Sequence, residues 1–401
     1  MKNLESLTIN IIANSIAGPK SGSDTIIIEC ARRWSHEKNV TINIFTTEEG
    51  IERCQNHGLR GVNYVLWSSS RFNKLGLYPL YLFRIVKGCI AALLIPVSPN
   101  VIIMTESDFM PDAIPAWIMK KKIKGSKWIA GFYLFVQNPL KNTVYKGKRF
   151  FRGLFYFLSQ MPIYYLVRKN ADMVFVTGEM DRWRFIDNKR FEPKDVLAIR
   201  GGIDMSMTNS VPDSKEKDFD AVFIGRFHPQ KGVLELIDIW KLVCEKKSYA
   251  KLAMIGVGEL EEEVKQKTNR LNLKSNISFL GYRDGVDKIR IFKRSRVVVH
   301  PAIYDSGGMA PCEAMACGLP AVSFDLPALK SYYPKGMIKT PMFDLKAFAC
   351  NILALLEDEE EYRVTAKDAL DWAEEWNWDK QAPKIFESLT RALLPSTPKA
   401  T

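Results

Sequence analysis

Residues 221–256 read AVFIGRFHPQKGVLELIDIWKLVCEKKSYAKLAMIG, and this stretch holds a complete unit of two strands and a helix. The apolar run at 221–225 predicts a strand, residues 233–247 predict a helix, and residues 251–256 predict a second strand. A strand, a loop, a helix and another strand in this order are typical of a parallel α/β unit. The stretch therefore predicts an α/β domain.

The same alternation continues on both sides of this stretch. Downstream, apolar runs predict strands at 276–281, 297–300 and 321–324, separated by helices near 259–272, 284–294 and 310–317. Near the amino terminus, strands at 7–13 and 40–47 flank a glycine-bearing turn and a helix. Two blocks of α/β units predict two doubly wound sheets, with ligands bound at the carboxyl ends of the strands.

The length of 401 residues and the apolar fraction of 47% favour two domains that each bury a core. We predict that the first domain covers residues 1–205 and the second residues 206–380. The join is placed near 205–217, because MSMTNSVPDSKEKD is polar and carries no pattern of a helix or strand.

Seven cysteines are scattered without paired spacing, and no CxxC or Cys/His cluster indicates a metal site. We therefore expect reduced thiols in a cytoplasmic protein. The start MKNLESLTINIIANS lacks the pattern of a secretory signal. The most hydrophobic stretch, 85–104, is interrupted before it reaches the ~20 apolar residues of a membrane span, so we expect no segment that crosses a bilayer. The interrupting residues are Lys87, Pro96, Pro99 and Asn100.

The loop GRFHPQKG (225–232) carries a candidate phosphate site. Arg226 follows the predicted strand, Lys231 comes five residues later, and Gly232 opens the helix. A guanidinium, an ammonium and the N–H groups of a helix amino terminus together suit a diphosphate. The alternative is that both side chains are solvated loop charges.

A second candidate stretch, HPAIYDSGGMAPCEAMACG (300–318), places Asp305 and Glu313 on either side of a glycine pair. Gly307 and Gly308 lack β-carbons, so a ligand can approach the backbone closely. Glu313, expected in the first turn of a short helix, can accept hydrogen bonds from ribose hydroxyls, and Asp305 can do so for a sugar ring. The alternative is a capping acid and an acid that complements the helix dipole.

Together these two stretches resemble the retaining glycosyltransferases of family 4. The shared features are R-x4-K-G after a strand and, roughly 80 residues later, an acid-x7-E pattern followed by AMACGLPAV. MIGVGELEEEVK, ISFLGYRDGVDKI and EEWNWDK extend the resemblance over most of 205–380, and NSIAGPKSGSD, ADMVFVTGEM and IRGGID extend it more weakly over the first half. The resemblance implies the GT-B fold, with two Rossmann-like domains facing across a cleft, and a last helix at about 381–395 that packs back on the first domain.

The resemblance also implies roles for individual residues. Arg226 and Lys231 would hold the diphosphate of a nucleotide sugar, and Glu313 the ribose. Asp305 and the backbone at 308–310 would hold the transferred sugar, and Gly22 would approach the phosphates from the first domain. The catalytic set is then Arg226, Lys231 and Asp305, and the substrate-binding set is Gly22, Arg226, Lys231, Gly308, Met309, Ala310 and Glu313.

The chain departs from the family pattern at two positions. The family usually has Glu where this chain has Asp305, so the carboxylate here is one methylene shorter. Many members carry a histidine in the first domain after the strand that here reads WIAGFYLF, near Tyr133. The histidines of this chain lie elsewhere: His36, His57, His228 and His300. His228 and His300 are interpreted as structural residues, not as catalysts.

The sequence thus predicts a retaining glycosyltransferase that moves a sugar from a UDP- or GDP-sugar to a glycan or lipid-linked acceptor, in cell-envelope polysaccharide or glycolipid assembly. Fixed cations would stabilise the leaving diphosphate, so no metal or other cofactor is expected. Asp218 and Asp220 are interpreted as solvated linker acids, not as a metal-binding motif. The alternatives are a non-catalytic relative that binds a nucleotide sugar, a nucleotide-sugar epimerase, a glycan phosphorylase and a nicotinamide dehydrogenase.

The net charge of +12 is concentrated in one part of the chain. No Asp or Glu occurs between Asp112 and Asp172, and residues 141–169 mix basic with aromatic side chains. Such a mixture suits binding to an anionic membrane surface. We therefore predict a cytoplasmic protein that can bind peripherally to the inner face of the membrane. The alternative is a core helix with solvated flanking charges. No nucleic-acid module is readable, so nucleic acid is not expected as a partner.

Overall fold

The computed structural model describes residues 6–15, 21–140, 148–187, 190–199, 201–305 and 308–393. The chain divides into two compact units. Unit 1 comprises Met1–Gly201 and Asp379–Thr401, and unit 2 comprises Gly202–Trp378. The boundaries that we placed from the sequence, after 205 and after 380, lie a few residues from these divisions.

Unit 1 alternates strands and helices from its first strand onward. Its strands are β1 Leu7–Ala13, β2 Val40–Thr47, β3 Asn63–Ser68, β4 Val101–Thr105, β5 Lys127–Gly131, β6 Met173–Val176 and β7 Val196–Ala198. Its helices up to this point are α1 Gly22–Trp34, α2 Glu48–Asn56, α3 Leu77–Leu94, α4 Met110–Lys122, α5 Lys148–Asn170 and α6 Glu179–Ile186.

These strands form a parallel sheet in the order β3-β2-β1-β4-β5-β6-β7. The central strands are buried along their whole length, since both faces are covered by helices. Helix α1 begins after Ser21, whose hydroxyl accepts a hydrogen bond from the Asp24 amide while the Asp24 carboxylate accepts one from the Ser21 amide.

Unit 2 repeats the same alternation. Its strands are β8 Phe219–Ile224, β9 Leu252–Ile255, β10 Ile277–Gly281, β11 Ser295–His300, β12 Ala321–Phe324 and β13 Met337–Thr340. Its helices are α7 Met205–Ser210, α8 Val233–Lys246, α9 Glu261–Arg270, α10 Gly285–Lys293, α11 Met309–Met315, α12 Pro327–Tyr332, α13 Leu345–Glu357 and α14 Glu359–Glu374, and the chain continues into α15 Trp378–Leu393.

The second sheet is also parallel, in the order β10-β9-β8-β11-β12-β13. The prediction of two doubly wound sheets is therefore confirmed. The prediction of an unstructured join was wrong in its first part, because Met205–Ser210 is helical. The Asp204 carboxylate caps this helix by accepting a hydrogen bond from the Met207 amide. The polar composition of the segment alone did not indicate this helix.

Helix α15 belongs to unit 1 from Asp379 onward. The indole nitrogen of Trp34 on α1 donates to the Ala382 carbonyl at 2.9 Å, and the Trp34 side chain is buried. Arg33 forms an ion pair of 2.6 Å with Asp379. The terminal helix thus completes the packing around α1.

Two helices of unit 1 bear on the predicted membrane contact. Helix α3 is long and apolar enough to cross a membrane by length and composition alone, so the interrupted window 85–104 began too late to detect it. Of the basic aromatic segment, residues 141–147 lie outside the described residues, and the remainder forms α5. Ile163 and Val167 of α5 are buried while Phe151 and Leu158 are exposed, so α5 has both a core face and a solvent face.

Candidate functional site

The sheet of unit 2 reverses its strand order between β8 and β11. The chain leaves β8 towards β9 on one side and leaves β11 towards β12 on the other. In doubly wound folds the crevice at the carboxyl ends of two such strands is the usual ligand site. The two stretches singled out from the sequence, 225–232 and 300–318, begin at these two strand ends.

The loop after β8 is held against the loop after β11 by backbone contacts. Gly232 has a left-handed conformation, with φ of 61°, and a β-carbon there would lie 1.9 Å from the Pro301 carbonyl oxygen. Glycine is therefore required at 232 for both conformation and space. The Ile303 amide donates to the Gln230 carbonyl at 2.9 Å, and His228 caps the short turn Pro229–Lys231 by accepting from the Gln230 amide.

This arrangement brings Lys231 to Asp305. The Lys231 ammonium lies 2.5 Å from Asp305 Oδ2, although 74 residues separate them along the chain. Asp305 Oδ1 accepts a hydrogen bond of 2.9 Å from the Gly308 amide. Burial opposes charge on Asp305, but Lys231 and then His300 outweigh that effect and hold its pKa well below its usual range. Asp305 is therefore an anion at neutral pH.

His300, the last residue of β11, contacts the same Asp305 carboxylate. Its Nε2 lies 3.3 Å from Asp305 Oδ2, and its side chain is buried. Burial lowers the pKa of His300 despite the opposing effect of Asp305. At neutral pH His300 is therefore uncharged.

Gly308 is fixed by a residue that the sequence analysis did not identify. The Tyr333 hydroxyl donates to the Gly308 carbonyl, and the Tyr333 ring stacks on Trp376 with a centroid separation of 5.3 Å. Gly308 itself has φ of 59°, and a β-carbon there would lie 3.0 Å from His300 Nε2. Glycine is therefore favoured at position 308, while Gly307 lies outside the described residues.

Glu313 lies one residue further into α11 than the sequence predicted. Helix α11 begins at Met309, so Glu313 belongs to its second turn, and the expected first-turn position was wrong. Its carboxylate pairs with Lys288 of α10 at 2.8 Å, and Lys288 also contacts Asp284 at 3.0 Å. Burial disfavours charge on Lys288, but the two carboxylates reverse this effect and raise its pKa above the usual value.

The remaining predicted residues are dispersed. Arg226 is exposed and makes no ion pair with another residue in the described part of the chain. Met309 and Ala310 are half-buried at the start of α11. Gly22 is the first residue of α1 in unit 1. The structure thus joins Lys231 to Asp305 and Glu313 to Lys288.

Unit 1 has a corresponding reversal between β1 and β4, lined by residues that the sequence analysis missed. The Asp112 carboxylate accepts from the Ser15 amide at 2.9 Å, from the Ser15 hydroxyl at 2.6 Å and from the Ser107 hydroxyl at 2.5 Å. Gln160 of α5 donates to Asp108 at 2.6 Å. The signal was the run ESD (106–108) directly after the buried strand β4, at the strand end where polar groups converge.

Three carboxyls at this edge are buried and share a raised affinity for protons. Burial raises the pKa of Asp112 to about 7 and that of Asp108 to about 6, against the hydrogen bonds that they accept. Burial, together with the charges of Asp24 and Asp112, raises the pKa of Glu106 well above its usual value. Arg53 is bound to Asp24 at 2.5 Å, and the buried Arg84 interacts electrostatically with Asp112.

Comparison with known proteins shows what this chain is similar to. Residues 208–372 match the family described as "Glycosyl transferases group 1". The chain is 23% identical over 229 residues to a poly(glycerol-phosphate) alpha-glucosyltransferase of Bacillus subtilis, covering 55% of this chain and 31% of that protein. It is 26% identical over 162 residues to the O-antigen chain mannosyltransferase B of Escherichia coli, covering 40% and 42%. The chain therefore spans less than half the length of these two relatives.

Solved structures match nearly the whole chain. Anabaena HepE in complex with UDP and glucose aligns with a TM-score of 0.71 at 15% identity, over 96% of this chain and 99% of that one. The pneumococcal O-GlcNAc transferase GtfA in complex with UDP and GlcNAc aligns with a TM-score of 0.71 at 11% identity, over 97% and 99%.

These solved structures show the fold, and the family match covers most of unit 2. The chain has the GT-B fold that the resemblance implied. Most of its second unit, which contains Lys231, Asp305 and Glu313, matches the group 1 glycosyl transferases.

Proposed function

We propose that the protein is a retaining glycosyltransferase that takes a sugar from a nucleoside diphosphate donor, UDP- or GDP-linked, and transfers it to a glycan or lipid-linked acceptor in cell-envelope polysaccharide or glycolipid assembly. The group 1 match over unit 2 supports transfer of a sugar. The names of the two relatives, a poly(glycerol-phosphate) alpha-glucosyltransferase and an O-antigen chain mannosyltransferase, support an envelope acceptor. The relatives do not favour an epimerase.

One observation carries the proposal: the Lys231–Asp305 pair lies where β8 and β11 diverge, the position at which doubly wound domains bind nucleotides. The two loops are locked together by the close approach of Gly232 to Pro301. A donor bound there would meet the Lys231 ammonium and the amino terminus of α8 at its phosphates. It would meet the Asp305 carboxylate at its sugar hydroxyls.

The chemistry of the transfer follows from these groups. As the bond between the sugar and the diphosphate breaks, negative charge grows on the leaving phosphate oxygens. Lys231 and Arg226 would stabilise that charge, and Arg226 is exposed and so able to reach a ligand. The acceptor hydroxyl would arrive on the face that the diphosphate leaves, and its proton would pass to a departing phosphate oxygen. The proposal therefore needs no metal ion.

The remaining contacts orient the donor. The ribose would bind Glu313, whose carboxylate is held in place by its ion pair with Lys288 of α10. Gly308, Met309 and Ala310 would offer backbone groups to the transferred sugar. Gly22 would offer backbone from unit 1. We propose a cytoplasmic location, in which nucleotide sugars and reduced cysteines are both expected.

The test is turnover of nucleotide sugars by the full chain. Purified protein is incubated with a panel of UDP- and GDP-sugars and acceptor lipids or glycans, and the released UDP or GDP is measured. Lys231→Ala should lower turnover by about a hundredfold or more, because the charge that stabilises the leaving group is removed. The matched control is Lys267→Ala, since Lys267 also pairs with a carboxylate at 2.5 Å and is equally buried but lies on α9.

Activity of Lys231→Ala within a few-fold of the wild type would remove Lys231 from the mechanism. A loss shared equally by Lys267→Ala would point to general destabilisation instead. The retaining stereochemistry is tested by the anomeric coupling in the NMR spectrum of the product. An inverted anomer would refute that part of the proposal.

A further inference from the structure

Helix α3 presents a row of large apolar side chains to solvent. Tyr78, Leu82, Val86, Ile90 and Leu94 recur every fourth residue, so they form one ridge along the helix. Their exposed fractions run from 49% to 77%. A contiguous exposed apolar ridge of this length is uncommon in a monomeric protein in water and marks a contact surface.

The buried face of α3 has the opposite composition. Its buried residues are Arg84, Gly88 and Ala92. A β-carbon added at Gly88 would lie 2.9 Å from Pro115 of α4, so the small residues allow the two helices to approach closely. A surface helix of a soluble protein buries its bulky apolar residues and exposes the others. In α3 the fully buried residues are small or charged and five large apolar residues are exposed, which is expected if an apolar medium contacts the outer face.

The sheet topology determines how α3 could meet a bilayer. The helix connects β3 to β4, two parallel strands of the same sheet, and packs on α4 along one side. A helix held in this way cannot cross a bilayer while both of its strands stay in the sheet. It can lie in the plane of the interface with its outer ridge immersed.

The ridge continues onto α5. The Phe155 ring contacts the Tyr78 ring edge to face, with centroids 4.8 Å apart. Beside it, Phe151 and Leu158 of α5 are 67% and 59% exposed. We use the name α3–α5 surface for the exposed side chains of Tyr78, Leu82, Val86, Ile90, Leu94, Phe151 and Leu158.

The stretch of chain that carries the α3–α5 surface, residues 53–171, has exposed basic side chains and no exposed acidic ones among its described residues. The sequence has no Asp or Glu between Glu52 and Glu106, nor between Asp112 and Asp172, and the three acids of 106–112 are buried. The half-buried Glu48 and Glu49 of α2 accept hydrogen bonds from Ser69 and Asn73 near the start of α3. Exposed basic residues on the same stretch of chain include Arg71, Lys74, Lys87, Lys121, Lys124 and Arg152.

We propose that the α3–α5 surface docks unit 1 on a lipid leaflet rich in anionic phospholipids, with α3 lying in the headgroup plane. The apolar ridge would enter the acyl boundary, and the surrounding lysines and arginines would bind phosphate headgroups, each adding about 1 kcal/mol near the surface. A second copy of the chain is the less suitable occupant, since two such surfaces would bring like charges together. The proposal extends the predicted membrane contact from residues 141–169 to α3, and it does not depend on the proposed transfer reaction.

The test is flotation of the full-length protein with vesicles of phosphatidylcholine alone or mixed with phosphatidylglycerol. The wild type should float with the anionic vesicles and stay partly bound at high salt, because the apolar ridge is insensitive to screening. The variant Leu82→Gln with Ile90→Gln should reduce the bound fraction about tenfold or more. The control, Tyr249→Gln with Val364→Gln, removes two comparably exposed apolar side chains from unit 2 and should float as the wild type does.

Three results would overturn the proposal. One is equal flotation of the α3 variant and the wild type. Another is failure of the wild type to float with either type of vesicle. The third is a dimer of the wild type in sedimentation analysis without lipid that the α3 variant abolishes, which would assign the surface to a second copy of the chain. Circular dichroism of both variants checks that the substitutions leave the helices formed.

Discussion

Each of the two sheets has a carboxyl group at the place where its strand order reverses, and the pKa values of these two groups are shifted in opposite directions. Where the sheet of unit 1 reverses, Asp112 is surrounded by serine hydroxyls and an amide, and burial raises its pKa to about 7. Where the sheet of unit 2 reverses, Asp305 faces Lys231, and its pKa lies well below the usual range. The topology fixes where polar groups converge, and the balance between burial and directly paired groups decides whether the acid among them is charged.

The difference in pKa between Asp305 and Asp112 affects how each site can interact with a ligand. A carboxylate that is an anion at all physiological pH values, paired with an ammonium, offers two fixed charges to a ligand. A carboxyl with a pKa near neutrality can donate or accept a proton in a hydrogen bond. The four predictions below test this contrast, from the largest expected effect to the smallest.

Breaking the pair in unit 2 should give the largest change in stability. Lys231→Met leaves Asp305 buried without its cation, and Asp305→Asn leaves Lys231 without its anion, so each should lower the free energy of unfolding by about 3 kcal/mol. The double variant should lose about 2 kcal/mol less than the sum. Urea unfolding, monitored by hydrogen exchange of unit 2 peptides, measures the loss in the free energy of unfolding for the two single variants and the double variant. Simple additivity would mean that the two charges do not interact.

Asp112→Asn should instead become favourable as the pH rises. The pKa of Asp112 is raised in the folded state, so the folded protein binds the proton more tightly, and wild-type stability falls as the pH rises from about 4 to about 7. The asparagine variant lacks this titration, and serine hydroxyls can donate or accept towards an amide. Between pH 5 and 8 the variant should gain about 2 kcal/mol relative to the wild type. Hydrogen exchange of unit 1 peptides in urea measures the free energy of unfolding of both proteins at each pH. A difference between variant and wild type that stays the same at every pH would contradict this account.

His300→Gln should reduce the sensitivity of unit 2 to mild acid. The pKa of His300 is lowered in the folded state, so the unfolded chain binds the proton more tightly, and wild-type stability falls as the pH drops below about 6.5. The variant should lose about 1 kcal/mol less than the wild type between pH 7 and 5. Equal losses in the two proteins would show that His300 does not titrate in this range.

Lys288→Met should have the smallest effect. Its partner Glu313 is more exposed than Asp305, with 36% of its side chain accessible, so water can replace the lost ammonium. We expect a loss of less than about 1 kcal/mol. The same urea experiment as for Lys231→Met measures it. A loss as large as that of Lys231→Met would show that exposure does not explain the difference between the two lysines.

Much of the fold was predictable because its signals are local. Strand β8 and helix α8 follow from an apolar run and a helical pattern within residues 221–247, and the same reasoning holds for the other parallel units of unit 2. The glycine at 232 could be identified as the start of a helix. That it also meets the Pro301 backbone could not be identified, because the contact joins two loops distant in sequence.

Side-chain partners across elements were the part that sequence could not provide. Lys288 lies 25 residues before Glu313, and their contact depends on how α10 packs beside α11. The position of Glu313 in the second turn depends on a helix start one residue earlier than expected. Similarly, composition revealed the apolar content around 85–104, while only the packing of α3 on α4 shows which of its faces is exposed.

The position of α15 has a consequence for the order in which the protein matures on the ribosome. Trp34 is synthesised early, yet its indole partner Ala382 emerges only after all of unit 2. Until then α1 exposes an aromatic side chain that ends up buried beside Phe386. Unit 2 can therefore finish folding first, while the nascent amino-terminal half must wait, partly open, for the final segment to leave the exit tunnel.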